Sequence, residues 1–209
     1  MNENYGIKTP YVDRALKIHT LTTKEGSVIN DTLTQGQKLI MECILQRKSP
    51  DELGLNRVQI ETITRYGKSM CIGAAVAIRV HNMGDPWAIV APTQDKAQII
   101  MDYAIQFAVS DPVMRVNLVI DSEDTEKKNK LIQKLKEHKA KDHLTFKRGG
   151  EIRAFSAGQK SGTNKTSGDA LMGFGCKNVI EDECYLIDDN THSKVLRMLG
   201  DSPDDNFLM

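Results

Sequence analysis

The chain has 209 residues, with 28 basic and 28 acidic side chains, so its formal net charge is zero. A chain of this length fits one domain with a sizeable core, and its balanced charge excludes a global field that would attract nucleic acid. No apolar run approaches the roughly 20 residues of a membrane span, no signal peptide is visible, and the four cysteines form no CxxC pair. These features are typical of a reduced, cytosolic protein that makes no membrane contact.

The first predicted helix follows a polar N-terminal segment. Residues 1–32 carry few large apolar groups and are expected to form an arm, whereas residues 34–45 have the spacing of a short amphipathic helix. The run 49–54 contains proline and glycine and is expected to turn the chain. Gln37 is a candidate for reading adenine, because a side-chain amide matches the donor–acceptor edge of that base. A solvated glutamine is the alternative.

The central motif of the chain is a strand, a tight turn and a helix. An alternating run at 58–63 predicts the strand, an apolar run over 68–81 predicts the helix, and the turn between them ends in Gly67-Lys68-Ser69. The N–H groups that open such a helix attract anions. Lys68 is therefore predicted to contact the β- and γ-phosphates of a nucleotide, and Ser69 to offer its hydroxyl to Mg²⁺. Threonine stands where the usual pattern begins with glycine, and an ordinary turn with an exposed lysine is the alternative.

Strands and helices continue to alternate after this motif. The apolar run 87–93 predicts a strand that is buried on both faces, and residues 94–109 predict a helix with one apolar side. The β-rich run 113–120 is expected to form a further strand. Residues 124–141 predict a highly charged helix with a narrow apolar edge, whose lysines are more often solvated than bound to phosphate.

A predicted hairpin and a long loop come next. Residues 144–155 read as two strands joined by Gly149-Gly150 as a two-residue turn. Residues 158–175 are rich in Gly, Ser, Thr, Asn and Lys, and a loop of that length inside a compact domain is usually functional.

A short apolar strand at 177–181 ends in two adjacent carboxylates, Asp182 and Glu183. Phosphoryl transfer needs one carboxylate on the metal and one on the nucleophile. Asp182 is accordingly predicted to hold Mg²⁺ opposite Ser69, and Glu183 to orient and deprotonate the attacking water. We expect these groups to meet Lys68 at the carboxyl ends of neighbouring strands.

The order of these elements resembles the ATPase domain of the large terminase subunit of tailed bacteriophages, a motor that pumps DNA into a procapsid. The resemblance covers residues 33–209 and implies a three-layer α/β P-loop NTPase of the ASCE type, with a mostly parallel central sheet. It implies nucleotide contacts by Gln37, Thr64, Arg65, Tyr66, Gly67, Lys68 and Ser69. It also implies catalytic roles for Lys68, Arg65 and Glu183, and a metal site at Ser69 and Asp182.

The resemblance further implies ATP and Mg²⁺ as substrate and cofactor, and double-stranded DNA, a portal protein and a small terminase subunit as partners. It implies a ring of subunits when assembled, and a location in the cytoplasm of the infected bacterial host. The sequence then reads as a C-terminally truncated ATPase fragment without the downstream nuclease domain, and the isolated fragment is expected to be a monomer.

The chain departs from the family pattern in its arginines. Many relatives place the loop arginine one residue further from the glycine than Arg65, and residues 156–180 contain no arginine that could act on a neighbouring subunit. Arg65 in cis, and Lys160 or Lys165 in trans, are the candidates for the positive charge that stabilises the transferring phosphoryl group.

Two other functions fit parts of the pattern. A superfamily 2 helicase or translocase has similar motifs around Gln37, residues 91–93 and residues 182–184, but it usually carries a more glycine-rich loop. The other is a DNA-binding or scaffold module with a degenerate loop that does not hydrolyse nucleotide.

Overall fold

The computed structural model describes residues 8–46, 57–119, 143–158, 174–199 and 207–209. Within these ranges the chain is an α/β fold with one five-stranded mixed sheet in the order β2-β3-β1-β4-β5. The strands are β1 Trp87–Ala91, β2 His143–Thr145, β3 Glu151–Ser156, β4 Asn178–Glu181 and β5 Phe207–Leu208. The β1–β3, β1–β4 and β4–β5 pairs are parallel and the β2–β3 pair is antiparallel, so the sheet is mostly parallel.

The described ranges contain six α-helices. They are α1 Pro10–Ala15, α2 Gln35–Gln46, α3 Lys68–Met83, α4 Gln94–Ser110, α5 Pro112–Arg115 and α6 Asp189–Met198. Short 3₁₀ turns lie at Asn30–Thr32 and Cys184–Leu186. None of the helices in the described part of the chain is long and apolar enough to cross a membrane.

Helices cover both faces of the sheet because strand side chains alternate in direction. Trp87 and Ile89 of β1 join the larger core cluster, which includes α2, α3 and α4. Ala88 and Val90 join the second cluster, which includes Val195 of α6. β1 is fully buried along its whole length, as a strand covered on both faces requires.

The helices α3 and α4 approach each other closely at Gly73. A Cβ atom built at this position would lie 2.7 Å from the Ile100 carbonyl oxygen and 2.9 Å from the Ala104 nitrogen, both of which are backbone atoms of α4. Glycine is therefore needed here because it lets the two helix backbones approach closely, and not because of its backbone freedom. This close packing fixes the first turns of α3 against the middle of α4.

The described N-terminal residues pack on the main core. Val12 and Leu21 are buried in the same cluster as α2 and α3. The buried Glu42 side chain of α2 accepts hydrogen bonds from the backbone N–H groups of Tyr11 (3.1 Å) and Val12 (2.8 Å), which open α1. A carboxylate at a helix N-terminus satisfies donors that have no intrahelical partner. The domain boundary expected at residue 32 stays a prediction.

The strand predicted at 58–63 does not form as a regular strand, and within the described residues this segment pairs with the sheet at one β-bridge only. Arg57 forms a single parallel bridge with Leu208, and the Val58 N–H donates to the Leu208 carbonyl at 2.9 Å. The neighbouring strand β5 offers only Phe207–Leu208 to pair with. The segment enters the turn on the β5 side of the sheet.

The strand predicted at 113–120 is wrong for its first three residues, which are helical. Asp111 accepts a hydrogen bond from the Met114 N–H at 2.7 Å, and Pro112 occupies the first helical position of α5. A capping aspartate followed by proline starts a helix, and this local signal outweighs the β preference of the valines. Leu118 makes one antiparallel bridge to Phe146.

The predicted hairpin forms, but its turn is longer than two residues. Leu144 pairs with Ile152, and the chain reverses between Phe146 and Gly150, with Gly149 at φ +88°. The helix predicted at 124–141 and the turn at 49–54 lie outside the described residues. So does most of the loop at 158–175.

Candidate functional site

The turn before α3 is built around Gly67, which is the residue immediately before the helix. Its φ of +88° lies in the left-handed region that glycine adopts without strain. A Cβ built here would lie 2.9 Å from Nε2 of Gln37, so space as well as backbone conformation favours glycine. The helix then begins at Lys68, which leaves the first N–H groups of α3 directed at the space before it.

The preceding residues hold the turn in one shape. Arg65 has φ +65°, a left-handed conformation that costs a non-glycine residue on the order of 1 kcal/mol or more. Thr64 and Arg65 are exposed, whereas Tyr66 is half-buried against the core. The Tyr66 hydroxyl lies 3.2 Å from Oγ1 of Thr34. The turn is thus attached to the segment that begins α2.

Gln37 links the start of α2 to this turn. The Thr34 N–H donates to Oε1 of Gln37 at 2.9 Å, and the Gln37 N–H donates to Oγ1 of Thr34 at 3.3 Å, which is a capping box. Nε2 of Gln37 donates to the Tyr66 carbonyl at 3.0 Å. These contacts use two of the four hydrogen-bonding positions of the amide, so the adenine-reading role stays a prediction.

The acidic residues at the end of β4 face alternate sides. Ile180 belongs to the core cluster that contains α3, and Val179 to the cluster that contains α6. Glu181 follows the second pattern and contacts His192 of α6, while Asp182 lies on the side of α3. The Asp182 N–H donates to the Val90 carbonyl at 2.8 Å, which fixes its backbone to β1.

Lys68 and Asp182 meet across the sheet edge. Nζ of Lys68 lies 2.5 Å from Oδ1 of Asp182, and the lysine side chain is 29% exposed while the aspartate is 8% exposed. The two residues are 114 positions apart in sequence. The expected meeting of Lys68 and Asp182 is therefore present, although the segment before α3 pairs with β5 and is not a direct neighbour of β4.

The environment of Asp182 fits a divalent cation. Its Oδ1 is buried and has no aligned hydrogen-bond donor among the described residues, although the Lys68 ammonium is close. A buried carboxylate oxygen with only an electrostatic partner is suited to a metal or to a metal-bound water. Ser69 is half-buried in the first turn of α3.

The described residues contain no group of three or more His, Cys, Asp or Glu side chains that could hold a metal by themselves. Mg²⁺ is usually bound by one or two protein groups plus waters and substrate phosphates. Ser69 and Asp182 are the residues that would hold Mg²⁺ if it arrives with a nucleotide, and this role stays a prediction.

Glu183 is held by a residue that the sequence analysis did not single out. Its Oε2 is in direct contact with Nζ of Lys96, in the first turn of α4. This hydrogen bond is the main cause that raises the pKa of Lys96. The Glu183 backbone has φ +51°, an uncommon left-handed conformation for a residue with a side chain.

Glu181 is a third acidic residue at the same strand end, on the opposite face. Its two carboxylate oxygens lie 2.8 Å and 3.0 Å from Nδ1 of His192. Burial raises the pKa of Glu181, against the lowering effect of the hydrogen bond with His192. This pair connects the β4 end to α6 and lies away from Lys68.

The structure thus brings together several predicted site residues. Lys68 meets Asp182, and the turn of Tyr66 and Gly67 meets Gln37. The individual roles of the site residues stay predictions, as does the role of Arg65. Lys160 and Lys165, the candidates for a charge acting in trans, lie outside the described residues.

Comparison with solved structures identifies a shared fold. The structure superposes on the large terminase of bacteriophage HK97 with a TM-score of 0.65, and the match covers 96% of this chain at 14% sequence identity. The large terminase of a thermophilic bacteriophage gives a TM-score of 0.48, with 82% of this chain covered at 12% identity. The chain spans 37% of the length of each of these proteins. No protein-family model matches the sequence, and the comparison with curated proteins finds no significant match.

Proposed function

We propose that this chain binds Mg·ATP at the start of α3 and hydrolyses it, as the ATPase part of a motor that moves viral double-stranded DNA into a procapsid. The single observation that carries the proposal is the 2.5 Å approach of Lys68 Nζ to Asp182 Oδ1. A lysine in the first turn of a helix beside a buried carboxylate supports a site for phosphate and a divalent cation at this point.

Phosphate binding follows from the local structure. The N–H groups of the first turn of α3 and the positive end of its dipole favour an anion, and Lys68 adds a charge that can contact the β- and γ-phosphates. Binding requires Lys68 to exchange Asp182 for phosphate oxygen. Asp182 and Ser69 would then hold Mg²⁺, which neutralises phosphate charge when it is bound.

Hydrolysis needs a group that directs water at the γ-phosphorus. Glu183 is adjacent to Asp182 and is the carboxylate that is available for this task. It orients the water and accepts its proton as the new P–O bond forms and the bond to the bridging oxygen of the β-phosphate breaks. Arg65, in the turn beside the phosphates, is the candidate in cis for stabilising charge on the transferring group.

The role in DNA packaging rests on the fold shared with the HK97 large terminase over almost the whole of this chain. By that analogy the partners are double-stranded DNA, a portal protein, a small terminase subunit and further copies of the same subunit in a ring. The location is the cytoplasm of an infected bacterium. The same likeness favours a packaging motor over a superfamily 2 helicase.

The test is ATP hydrolysis by the wild-type protein and by Glu183→Gln, with binding measured separately. Wild type is expected to release phosphate from ATP only when Mg²⁺ is present. Glu183→Gln is expected to bind Mg·ATP with similar affinity and to turn it over more slowly by a factor of about 100 or more, because the base is lost.

Two results would contradict the proposal. Equal turnover by Glu183→Gln and wild type would remove Glu183 from the reaction. Binding of ATP without turnover by wild type, both alone and with DNA, would favour a binding module that does not hydrolyse nucleotide.

A further inference from the structure

The contact between Lys96 and Glu183 links the start of α4 to the end of β4. Lys96 lies in the first turn of α4, and Glu183 follows the end of β4. The start of α4 is fixed by Thr93, whose hydroxyl accepts a hydrogen bond from the Lys96 N–H at 3.4 Å. The backbone that carries Lys96 is therefore anchored directly after the buried strand β1.

Each carboxylate of the acidic pair has its own lysine. Lys68, at the start of α3, contacts Asp182, and Lys96, at the start of α4, contacts Glu183. The two helices are held together by the close packing at Gly73. The four charges are thus presented by elements whose relative positions are set by the core.

We propose that Lys96 is a positioning residue for Glu183. The Lys96 ammonium binds one carboxylate oxygen of Glu183 and leaves the other oxygen to accept the proton of the attacking water. This inference rests on the proposed ATP hydrolysis and adds to it the residue that orients the base.

The chemistry of the carboxylate supports this division. Lys96 contacts Oε2 of Glu183, so Oε1 is the oxygen left for water. A base is effective only when a further group fixes its orientation, since a displacement of about 1 Å can cost roughly a hundredfold in rate. The glutamate side chain is 28% exposed and has three rotatable bonds, so a partner is needed to select one orientation.

The backbone of Glu183 supports the same conclusion. Its left-handed conformation, φ +51°, is held between the buried Asp182 and the 3₁₀ turn Cys184–Leu186. Residues in such conformations persist where the surroundings determine them, and they are common at functional sites. Backbone and side chain are therefore both fixed, the first by β4 and the second by Lys96.

The test compares Lys96→Met, Lys96→Arg and wild type in steady-state ATP hydrolysis. Lys96→Met is expected to lower kcat by roughly tenfold to a hundredfold with little change in KM, because it disorders the base and leaves the phosphate contacts in place. Lys96→Arg keeps a cation at the position and should recover a large part of kcat. Lys38→Met removes an exposed lysine–aspartate pair of 3.0 Å with Asp13 and serves as the matched control without loss of kcat.

A double-substitution comparison separates positioning from other effects. If Lys96 acts through Glu183, then Lys96→Met should have no further effect on kcat in a Glu183→Gln background. An equal fractional loss in both backgrounds would overturn the proposal. A rise in kcat in Lys96→Met would also overturn the proposal, because it would mean that the contact with Lys96 inhibits Glu183 as a base.

A second readout does not depend on turnover. Urea unfolding of the nucleotide-free protein should show non-additive effects of Lys96→Met and Glu183→Gln, because either substitution alone breaks the same pair. Additive effects would mean that the pair does not form, and the proposal would then fail. If the pair forms but wild type hydrolyses no ATP, then the proposed function has failed independently of this measurement.

Discussion

Burial sets the ionisation of His81 in α3, far along the helix from the site. This side chain is 7% exposed, and desolvation is the main cause that lowers its pKa. The charges of His19 and Arg148 lower the pKa further, while Asp111 and the hydrogen bond with Asn82 act in the opposite direction. A lowered pKa means that the folded protein holds a neutral imidazole where the unfolded chain would bind a proton.

Mild acid is therefore expected to reduce the stability of the fold. Between the ordinary histidine pKa of about 6.5 and the lowered value in the fold, the unfolded state binds more protons, so the free energy of unfolding falls as the pH is reduced through this window. His81→Gln removes the titrating group and should make the change between about pH 7.5 and about pH 5.5 smaller. Urea unfolding at both pH values measures this change in the free energy of unfolding. An identical change in wild type and His81→Gln would mean that His81 does not cause the pH dependence.

The sequence predicts some site residues at this scale and misses others, for physical reasons. Lys68 and Asp182 are predictable because each has a local signal, a glycine-lysine-serine turn before a helix and a carboxylate after an apolar strand. Lys96 has none, since one lysine in the first turn of a helix is ordinary. Its role depends on a contact with Glu183, which is 87 positions away.

At the scale of elements, α2 and the turn before α3 form one unit through Gln37. The same amide accepts a hydrogen bond from Thr34, which caps the helix, and donates one to Tyr66, which shapes the turn. Each such bond contributes about 1 kcal/mol to stability. The contribution of the helix cap can be measured separately from that of the turn, because the cap uses Oε1 of Gln37 and the turn uses Nε2.

The substitution Gln37→Glu, compared with Gln37→Ala, separates these two contributions. A glutamate at this position can still accept from the Thr34 N–H and suits a helix N-terminus, but it cannot donate to the Tyr66 carbonyl. We expect Gln37→Glu to lose less stability than Gln37→Ala, because it keeps the cap and loses only the bond to Tyr66, and to lose Mg·ATP affinity by roughly tenfold, which is about 1.4 kcal/mol. Gln37→Ala should lose both stability and affinity.

Calorimetric titration and thermal unfolding of the two variants measure affinity and stability separately. Wild-type affinity in both variants would mean that the turn keeps its shape without Gln37. Equal loss of stability in both would mean that the cap contributes little to α2.

Elements that follow hydrophobic periodicity are predictable from this sequence, and those set by a local cap or by a partner strand are not. The strand β1 and the helices α3 and α4 agree with their predicted ranges within a few residues, because their burial depends on long apolar patterns. The segment 113–120 begins with a helix because Asp111 and Pro112 start one. The segment 58–63 has strand-like alternation, but strand assignment requires a paired neighbour, and β5 is short.

At the scale of the whole molecule, the sheet order explains why distant motifs share one site. β4 lies between β1 and β5, and the segment leading to α3 pairs with β5 through Arg57 and Leu208. The parallel strands end at one edge of the sheet, which is where α3 and α4 begin. The residues after β4 therefore face the first turns of both helices.

The most direct test of this arrangement is the equilibrium binding of ATP in the presence of Mg²⁺, measured by calorimetry on wild type and Lys68→Met. A lost charge-assisted contact to phosphate is worth about 1.5–3 kcal/mol, so the affinity of Lys68→Met should fall by roughly 10- to 150-fold. Removal of Mg²⁺ with a chelator should weaken binding to wild type. Thermal unfolding of both proteins checks that the fold is kept. Saturable, Mg²⁺-dependent binding that depends on Lys68 is the predicted result, and wild-type affinity in a folded Lys68→Met protein would contradict the account.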